Sequence, residues 1–303
     1  MAALGATPPL TDSQAALLRA RERAALIPDL LIEARRVVAT VTTGWHGRRR
    51  RGTGENFWQF RPFVEGESVA GIDWRRSARD DSLYLRDKEW EAAQTVWLWA
   101  DGSPSMQYCS KLALVSKESR ALVLALALAE VLSRAGERVG FPGVLNPVSA
   151  RNAAERIAAA LTRHRPEGDM PDGQIRRFSE LVMISDFLDP LDKVLRTTSH
   201  LAQRGVSGHL ISVYDPAEED FPYAGRTEFR DPETGARLLS GRADSLREQY
   251  RQLYFARRDE LSRHCQRLGW SFLTHRTDHP ASQALVHIHG RLSGGTFFNG
   301  YGG

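Results

Sequence analysis

TVWLWADGSPS, residues 95–105, decides how the chain is read. Thr95 to Ala100 is a short apolar run of β-branched and aromatic residues, the composition of a buried strand. It breaks at Asp101-Gly102 and passes through Ser103-Pro104-Ser105 toward a helical stretch. A strand that runs straight into a polar loop and then a helix is the opening unit of an α/β sheet. The rest of the chain repeats the alternation. Helices are expected over Ser110–Arg134, Ala150–Arg163 and Lys193–Arg204, and strands over Val139–Leu145, Leu181–Ser185 and His209–Tyr214. A long helix over Ala243–Leu268 stops at Gly269, and a last strand, Trp270–His275, precedes a short helix. Phe229 and Leu238 flank Asp231-Pro232-Glu233-Thr234-Gly235, where proline fixes one dihedral and glycine accepts positive φ, so a hairpin is expected there.

Upstream of this core, residues 1–10 read as unstructured, with a possible helix start at Thr11-Asp12-Ser13. Leu30, Leu31, Ala34, Val37, Val38 and Val41 recur at helical spacing, with Pro28 as the expected first turn. A basic loop, His46 to Gly52, precedes an aromatic-rich segment of short strands from Phe57 to Leu85. The expected organisation is a helical segment 1–44, a β-rich segment 45–93, an α/β domain 94–290 with a hairpin insertion at about 222–242, and a flexible tail 291–303. No internal repeat is visible. The fold class is α/β, a mostly parallel Rossmann-like sheet with helices on both faces.

The bulk properties exclude several classes. The 303 residues have 42% hydrophobic and 26% charged content, with 41 Lys plus Arg against 37 Asp plus Glu. Net charge +4 is too small to mark a nucleic-acid binder unless basic residues cluster. Arg48 to Arg51 do cluster, and a solvated loop is the simpler account of them. Cys109 and Cys265 form neither a disulfide framework nor a metal-ligand spacing. The longest apolar run, Ala121 to Ala129, is about half a membrane span. No secretory signal is read at MAALGATPPLTDS, and a soluble, cytoplasmic protein is expected.

Four strands lead into aspartates: Asp101, Asp186, Asp215 and Asp278. Ligands of open α/β sheets bind outside the carboxyl ends of the strands, and carboxylates gathered there repel unless a cation offsets them. Each could equally cap the next helix, and Asp215-Pro216 and Asp278 suit that role best. Asp101 differs because Ser103 and Ser105 follow at alternate positions, so one carboxylate and two hydroxyls can face one centre. Magnesium accepts so sparse a set because it retains several waters.

Asp101-x-Ser103-x-Ser105 at the end of the first core strand resembles the metal-ion-dependent adhesion site of von Willebrand factor A domains. The resemblance implies a von Willebrand factor A-like fold with Asp101, Ser103 and Ser105 as direct or water-mediated ligands of Mg2+ or Mn2+, and Asp186, in Ile184-Ser185-Asp186, as the later aspartate. The threonine such sites take from an intermediate loop has no counterpart, since Ser149 is the only hydroxyl between Gly140 and Arg151 and Thr162 falls inside a helix. Weak binding is implied.

A second block, Arg61-Pro62-Phe63, Glu65-Gly66-Glu67, Ile72-Asp73-Trp74-Arg75 and Ser77-Ala78-Arg79, is similar to the signature of the bacterial family called domain of unknown function 58. Asp215-Pro216-Ala217-Glu218 and Phe221-Pro222 fit it too. Members are typically encoded beside MoxR-type AAA+ ATPases, and many have N-terminal membrane helices, none of which is read here. The resemblance implies a partner or adaptor of such an ATPase. Within the block, Arg61, Asp73, Trp74, Arg75 and Arg79 form either a docking surface, because Trp and Arg anchor interfaces, or an ion-pair joint with Asp73 held by Arg75 or Arg79.

The leading expectation is a non-catalytic, metal-assisted protein–protein interaction module, in which a partner's acidic side chain completes the metal's coordination. A PIN-like metal-dependent nuclease is the enzymatic alternative, opposed by serines where further carboxylates would bind a second ion. Ser103 also stands where a haloacid-dehalogenase-type phosphatase needs its second aspartate. No phosphate loop, His-Glu-x-x-His or Gly-x-Ser-x-Gly is present. A structural scaffold with a degenerate metal site is the third reading.

Overall fold

Strand β3 (Thr95–Ala100) lies in the middle of the sheet, and its side chains alternate between two helical layers. The computed structural model describes residues 12–45, 57–64, 72–79, 82–88, 93–164, 168–171, 173 and 175–292. Readings of residues 1–10, of the basic loop from His46 to Gly52, of Glu65-Gly66-Glu67 and of residues 293–303 lie outside them. The described residues fall into two units, 44–93 and the remainder.

In the larger unit the sheet has six strands in the order β10-β7-β6-β3-β4-β5. They are β4 (Arg138–Phe141), β5 (Leu145–Val148), β6 (Glu180–Ser185), β7 (Ser207–Tyr214) and β10 (Ser271–Arg276), with β3. Every pairing is parallel except that of β4 with β5. The expected single strand over Val139–Leu145 is therefore a hairpin, because Pro142 cannot extend a ladder and Gly143 adopts φ 72° at the turn. Edge strand β5 contains Pro147, packed so closely on Gly140 that a Cβ there would lie 2.9 Å from the ring.

On one face Trp97, Trp99, Leu181, Met183 and Leu210 pack with Val194 and Leu201 of α5 (Leu191–Gln203) and with Leu261 and Cys265 of α7 (Arg247–Leu268). On the other, α3 (Lys117–Arg134) crosses β3, β4, β6 and β7 and is flanked by α4 (Ala153–Leu161) and α8 (Ala281–Leu292). Every residue from Ala121 to Ser133 of α3 is buried, so the nine-residue apolar run is the heart of an internal helix. Among the described residues no helix is long and apolar enough to cross a membrane. The helix starts seven residues later than expected at Ser110, with Ser116 as N-cap; Pro104–Gln107 forms a separate 3-10 turn.

The N-terminal helix α1 (Asp12–Trp45) is continuous, and Pro28 lies inside it rather than at its start. The Pro28 side chain is exposed, while Ile27, Ala34, Val38 and Val41 keep one face buried. Arg35 pairs with Glu155 of α4.

The smaller unit is a β1 (Phe57–Pro62) and β2 (Tyr84–Lys88) antiparallel pair with a one-turn helix, α2 (Trp74–Ser77). Asp73 caps that helix, accepting from Arg76 N at 2.9 Å. Ser77 Oγ donates to Asp73 O and accepts from Tyr84 N, both at 2.9 Å. The Asp73 carboxylate thus serves a backbone amide rather than an ion pair with Arg75 or Arg79. Trp74 is 64% exposed, and Arg75 and Arg79 are exposed as well. Arg61 sits in β1, opposite Leu85.

Close packing generates a direct test. A Cβ on Gly208 of β7 would lie 2.1 Å from the indole of Trp270, whose Nε1 is tied to Val206 O at 3.1 Å. Gly208→Ala is expected to destabilise the fold by at least about 1–3 kcal/mol; an unchanged thermal midpoint would show that the indole can move aside.

Candidate functional site

The chain passes from β3 to β4 and β5 on one side, then returns to β6 on the other side of β3. The order reverses between β3 and β6, and the crevice at such a switch point is where open α/β sheets bind ligands. Asp101 and Asp186 follow these two strands, and Asp101 N donates to Ile184 O at 2.9 Å.

Asp101 is 2% exposed. Its Oδ1 accepts from Ser103 N at 2.7 Å and its Oδ2 from Ser185 Oγ at 2.6 Å. Ser103 Oγ is 3.1 Å from Ser105 Oγ, which donates to Asp186 Oδ2 at 2.8 Å. All four residues picked out in the sequence are therefore linked through hydrogen bonds or a shared loop. Burial raises the Asp101 carboxyl to about 6, against the hydrogen bonds from Ser185 and Ser103, with Asp186 adding to the rise.

The sequence reading missed the cation already present. Lys117, the first residue of α3, is 1% exposed. Its Nζ donates to Asp186 Oδ2 at 2.8 Å and to Glu218 Oε1. Burial alone would lower its pKa, but the two carboxylates outweigh that and hold it above the usual lysine value. Burial holds Glu218 above the usual carboxylate range although Lys117 pulls it down. A lysine at a helix N-terminus opposes the macrodipole, so Ser116-Lys117 shortly ahead of the apolar run Ala121–Ala129 was the signal available in the sequence.

Asp215 takes the capping role its context suggested, whereas Asp278 is exposed, pairs with Arg276 and caps no helix. Asp215 caps the short helix α6 (Pro216–Asp220), accepting from Ala217 N and Ser110 N, both at 2.8 Å. Glu218 closes the capping box through Asp215 N at 2.8 Å and so is fixed facing Lys117. Asp278 is held by Arg276 at 2.9 and 3.0 Å.

The site opens into a cleft of 1080 Å³ bordered by Ser103, Ser105, Lys117, Asp186, Glu218 and Tyr250. The tip of a hairpin formed by β8 (Thr227–Arg230) and β9 (Arg237–Ser240) also lines it. From that tip Glu233 Oε1 accepts from Ser105 N at 2.9 Å. The turn read from the sequence is present, with Phe229 opposite Leu238, but nothing in the sequence showed where its glutamate would land.

The donors can be tested for a metal. Ser103 Oγ, Ser105 Oγ and Asp186 Oδ2 follow one another within hydrogen-bond distance, and Asp101 lies behind them. This neutral-rich oxygen set suits a magnesium ion that keeps several waters. Lys117 shares Asp186 with any such ion, and among the described residues no three His, Cys, Asp or Glu side chains gather to enclose a metal. The fit is to a loosely held ion.

Residues 59–260 match the family model described as Protein of unknown function DUF58. Uncharacterized protein Rv1480 of Mycobacterium tuberculosis (strain ATCC 25618 / H37Rv) and uncharacterized protein Mb1516 of Mycobacterium bovis (strain ATCC BAA-935 / AF2122/97) are each 25% identical, over 75% of this chain and 76% of theirs. Among solved structures, the conserved hypothetical protein BatB from Bacteroides thetaiotaomicron aligns over 67% of this chain and 100% of its own, with TM-score 0.38 and 15% identity. An aerotolerance-related membrane protein from Bacteroides fragilis NCTC 9343 with multiple mutations to serines has the same coverage, TM-score 0.35 and 16% identity.

Two outcomes follow from the electrostatics. Lys117→Met leaves two carboxylates without their counter-charge and is expected to cost roughly 3–5 kcal/mol, read as a lower midpoint in urea; a cost under about 1 kcal/mol would mean the pair is dispensable. For Asp101, the folded value near 6 exceeds the ordinary 3.8, so the fold loses stability as pH rises from about 4 to about 6. In chelator, Asp101→Asn is expected to raise the thermal midpoint by a few degrees at pH 7.5 and hardly at pH 4. An equal gain at both values would show that its charge is not the cause.

Proposed function

The chain belongs to the DUF58 family, and we propose that its cleft between β3 and β6 is the recognition site of a non-catalytic protein–protein interaction module of von Willebrand factor A-like type. Asp101, Ser103, Ser105 and Asp186 would hold a Mg2+ or Mn2+ ion there, and the ion would supply an open position for an acidic side chain of the partner. The observation that carries this reading is the convergence of the two strand-end aspartates and the two loop serines at the switch point. The Arg61–Arg79 block, with its exposed Trp74, offers a second partner contact. A MoxR-type AAA+ ATPase is the first partner to try, on the strength of the family resemblance.

Catalysis is disfavoured by the state of the groups. A serine nucleophile needs a base, and a lysine serving as one must have a lowered pKa. Lys117 is held above its ordinary value, and Ser105 Oγ gives its hydrogen to Asp186, which Lys117 already engages. One observation favours a second reading, a scaffold without metal. The Lys117 ammonium already supplies positive charge at the place where an ion would sit.

The two readings separate in a thermal melt of wild type and Asp101→Ala in magnesium, manganese or chelator. Metal at about a hundred times its Kd stabilises the fold by roughly 2.7 kcal/mol, a shift of several degrees at this chain length. The shift is expected in wild type and not in the variant, and capture of a MoxR-type ATPase is expected to fail in the variant and in chelator. Absence of any shift at millimolar metal, with capture equal for both proteins, would leave the scaffold.

A further inference from the structure

The hairpin that reaches the cleft is built differently at its tip and along its arms. At the tip, Asp231 Oδ1 accepts from Glu233 N at 2.9 Å and Asp231 Oδ2 accepts from Thr234 Oγ1. Asp231 N donates to Ala236 O at 2.8 Å, Gly235 N donates to Asp231 O at 2.9 Å, and Gly235 takes φ 72°. Pro232 fixes the remaining dihedral. The glutamate is therefore presented by a turn that is held by its own hydrogen bonds. The arms, by contrast, are mostly exposed, Leu238 and Leu239 being 59% and 58% accessible.

The contact at the end of this turn spans 128 residues of sequence and is a single hydrogen bond. Glu233 remains solvent-exposed while its Oε1 accepts from Ser105 N, so the contact costs it little hydration and it leaves still solvated. Its charge is opposed by Asp169, Asp186, Asp189, Glu218 and Asp231, which border the same cleft, and offset only in part by Lys117, Lys193 and Arg230, so the contact is held against repulsion. A segment tethered in this way competes at an effective concentration in the millimolar range.

We propose that the cleft is a receptor for an acidic turn, and that the chain's own Asp231–Thr234 turn occupies it in the free protein. A partner displaying a carboxylate on a similar turn displaces Glu233 from the Ser105 amide. The hairpin is then both the template for the partner and the gate the partner must open. This rests on the cleft being an interaction site but requires neither a metal nor the ATPase, so the test uses neither.

The experiment follows the amide resonances of serine-labelled protein in chelator. Glu233→Ala is expected to move the Ser105 amide upfield and leave the Ser103 amide, which is bonded to Asp101, in place. The capped peptide Asp-Pro-Glu-Thr-Gly at millimolar concentration is expected to return the Ser105 signal toward its wild-type position in the variant. It should shift wild type far less, and the same peptide with alanine for glutamate should do nothing in either protein. An unmoved Ser105 amide in Glu233→Ala overturns the contact. Failure of the peptide to bind the variant, or equal action of the alanine peptide, overturns the receptor. Neither result bears on metal binding, which the melts of wild type and Asp101→Ala decide separately.

Discussion

Carboxylates placed at the ends of adjacent parallel strands repel one another, and this protein answers with a lysine driven inside from the first turn of its most apolar helix. Lys117 ties together three parts of the chain: α3, which carries it; the end of β6, through Asp186; and the capped turn after β7, through Glu218. The arrangement works against the helix macrodipole and against desolvation, so it persists only because both carboxylates are fixed. Glu218 is fixed by the capping box with Asp215, and Asp186 by Ser105 and by Leu188 N at 3.1 Å.

The same geometry explains why the site is poised rather than saturated. Asp101, just behind, keeps its carboxyl near 6 because hydroxyl and amide donors compensate burial only in part. The neighbouring Asp186, by contrast, has the Lys117 ammonium as its counter-charge. The groups that face the cleft, Ser103, Ser105 and Asp186, belong to segments that follow the strand ends rather than to the strands themselves.

Much of this was legible in the residues. The continuous apolar runs in TVWLWA, LVMIS and HLISVY specified the parallel strands, since a strand covered by helices on both sides needs apolar residues on both faces. Asp101-Gly102-Ser103-Pro104-Ser105 announced a polar loop at a strand end. What escaped was long-range. Lys117, Glu218 and Glu233 reach the cleft from separate segments, and their proximity depends on strand order, which local pattern does not encode. Pro28 misled because an exposed position on a long helix tolerates a missing amide. Val139–Leu145 misled because a hairpin of two four-residue strands looks, over that window, like one interrupted strand.

The lysine pairing also dictates an order of events during synthesis. Lys117 leaves the ribosome well before Asp186, and Glu218 follows later still. Until then α3 cannot take its final place, since seating it would bury an unpaired ammonium, and its run from Ala121 to Ala129 stays available to solvent. Closure of the sheet by β6 beside β3 has the same dependence on late residues. A nascent chain of this design therefore spends much of its elongation before the partners that neutralise Lys117 have been made.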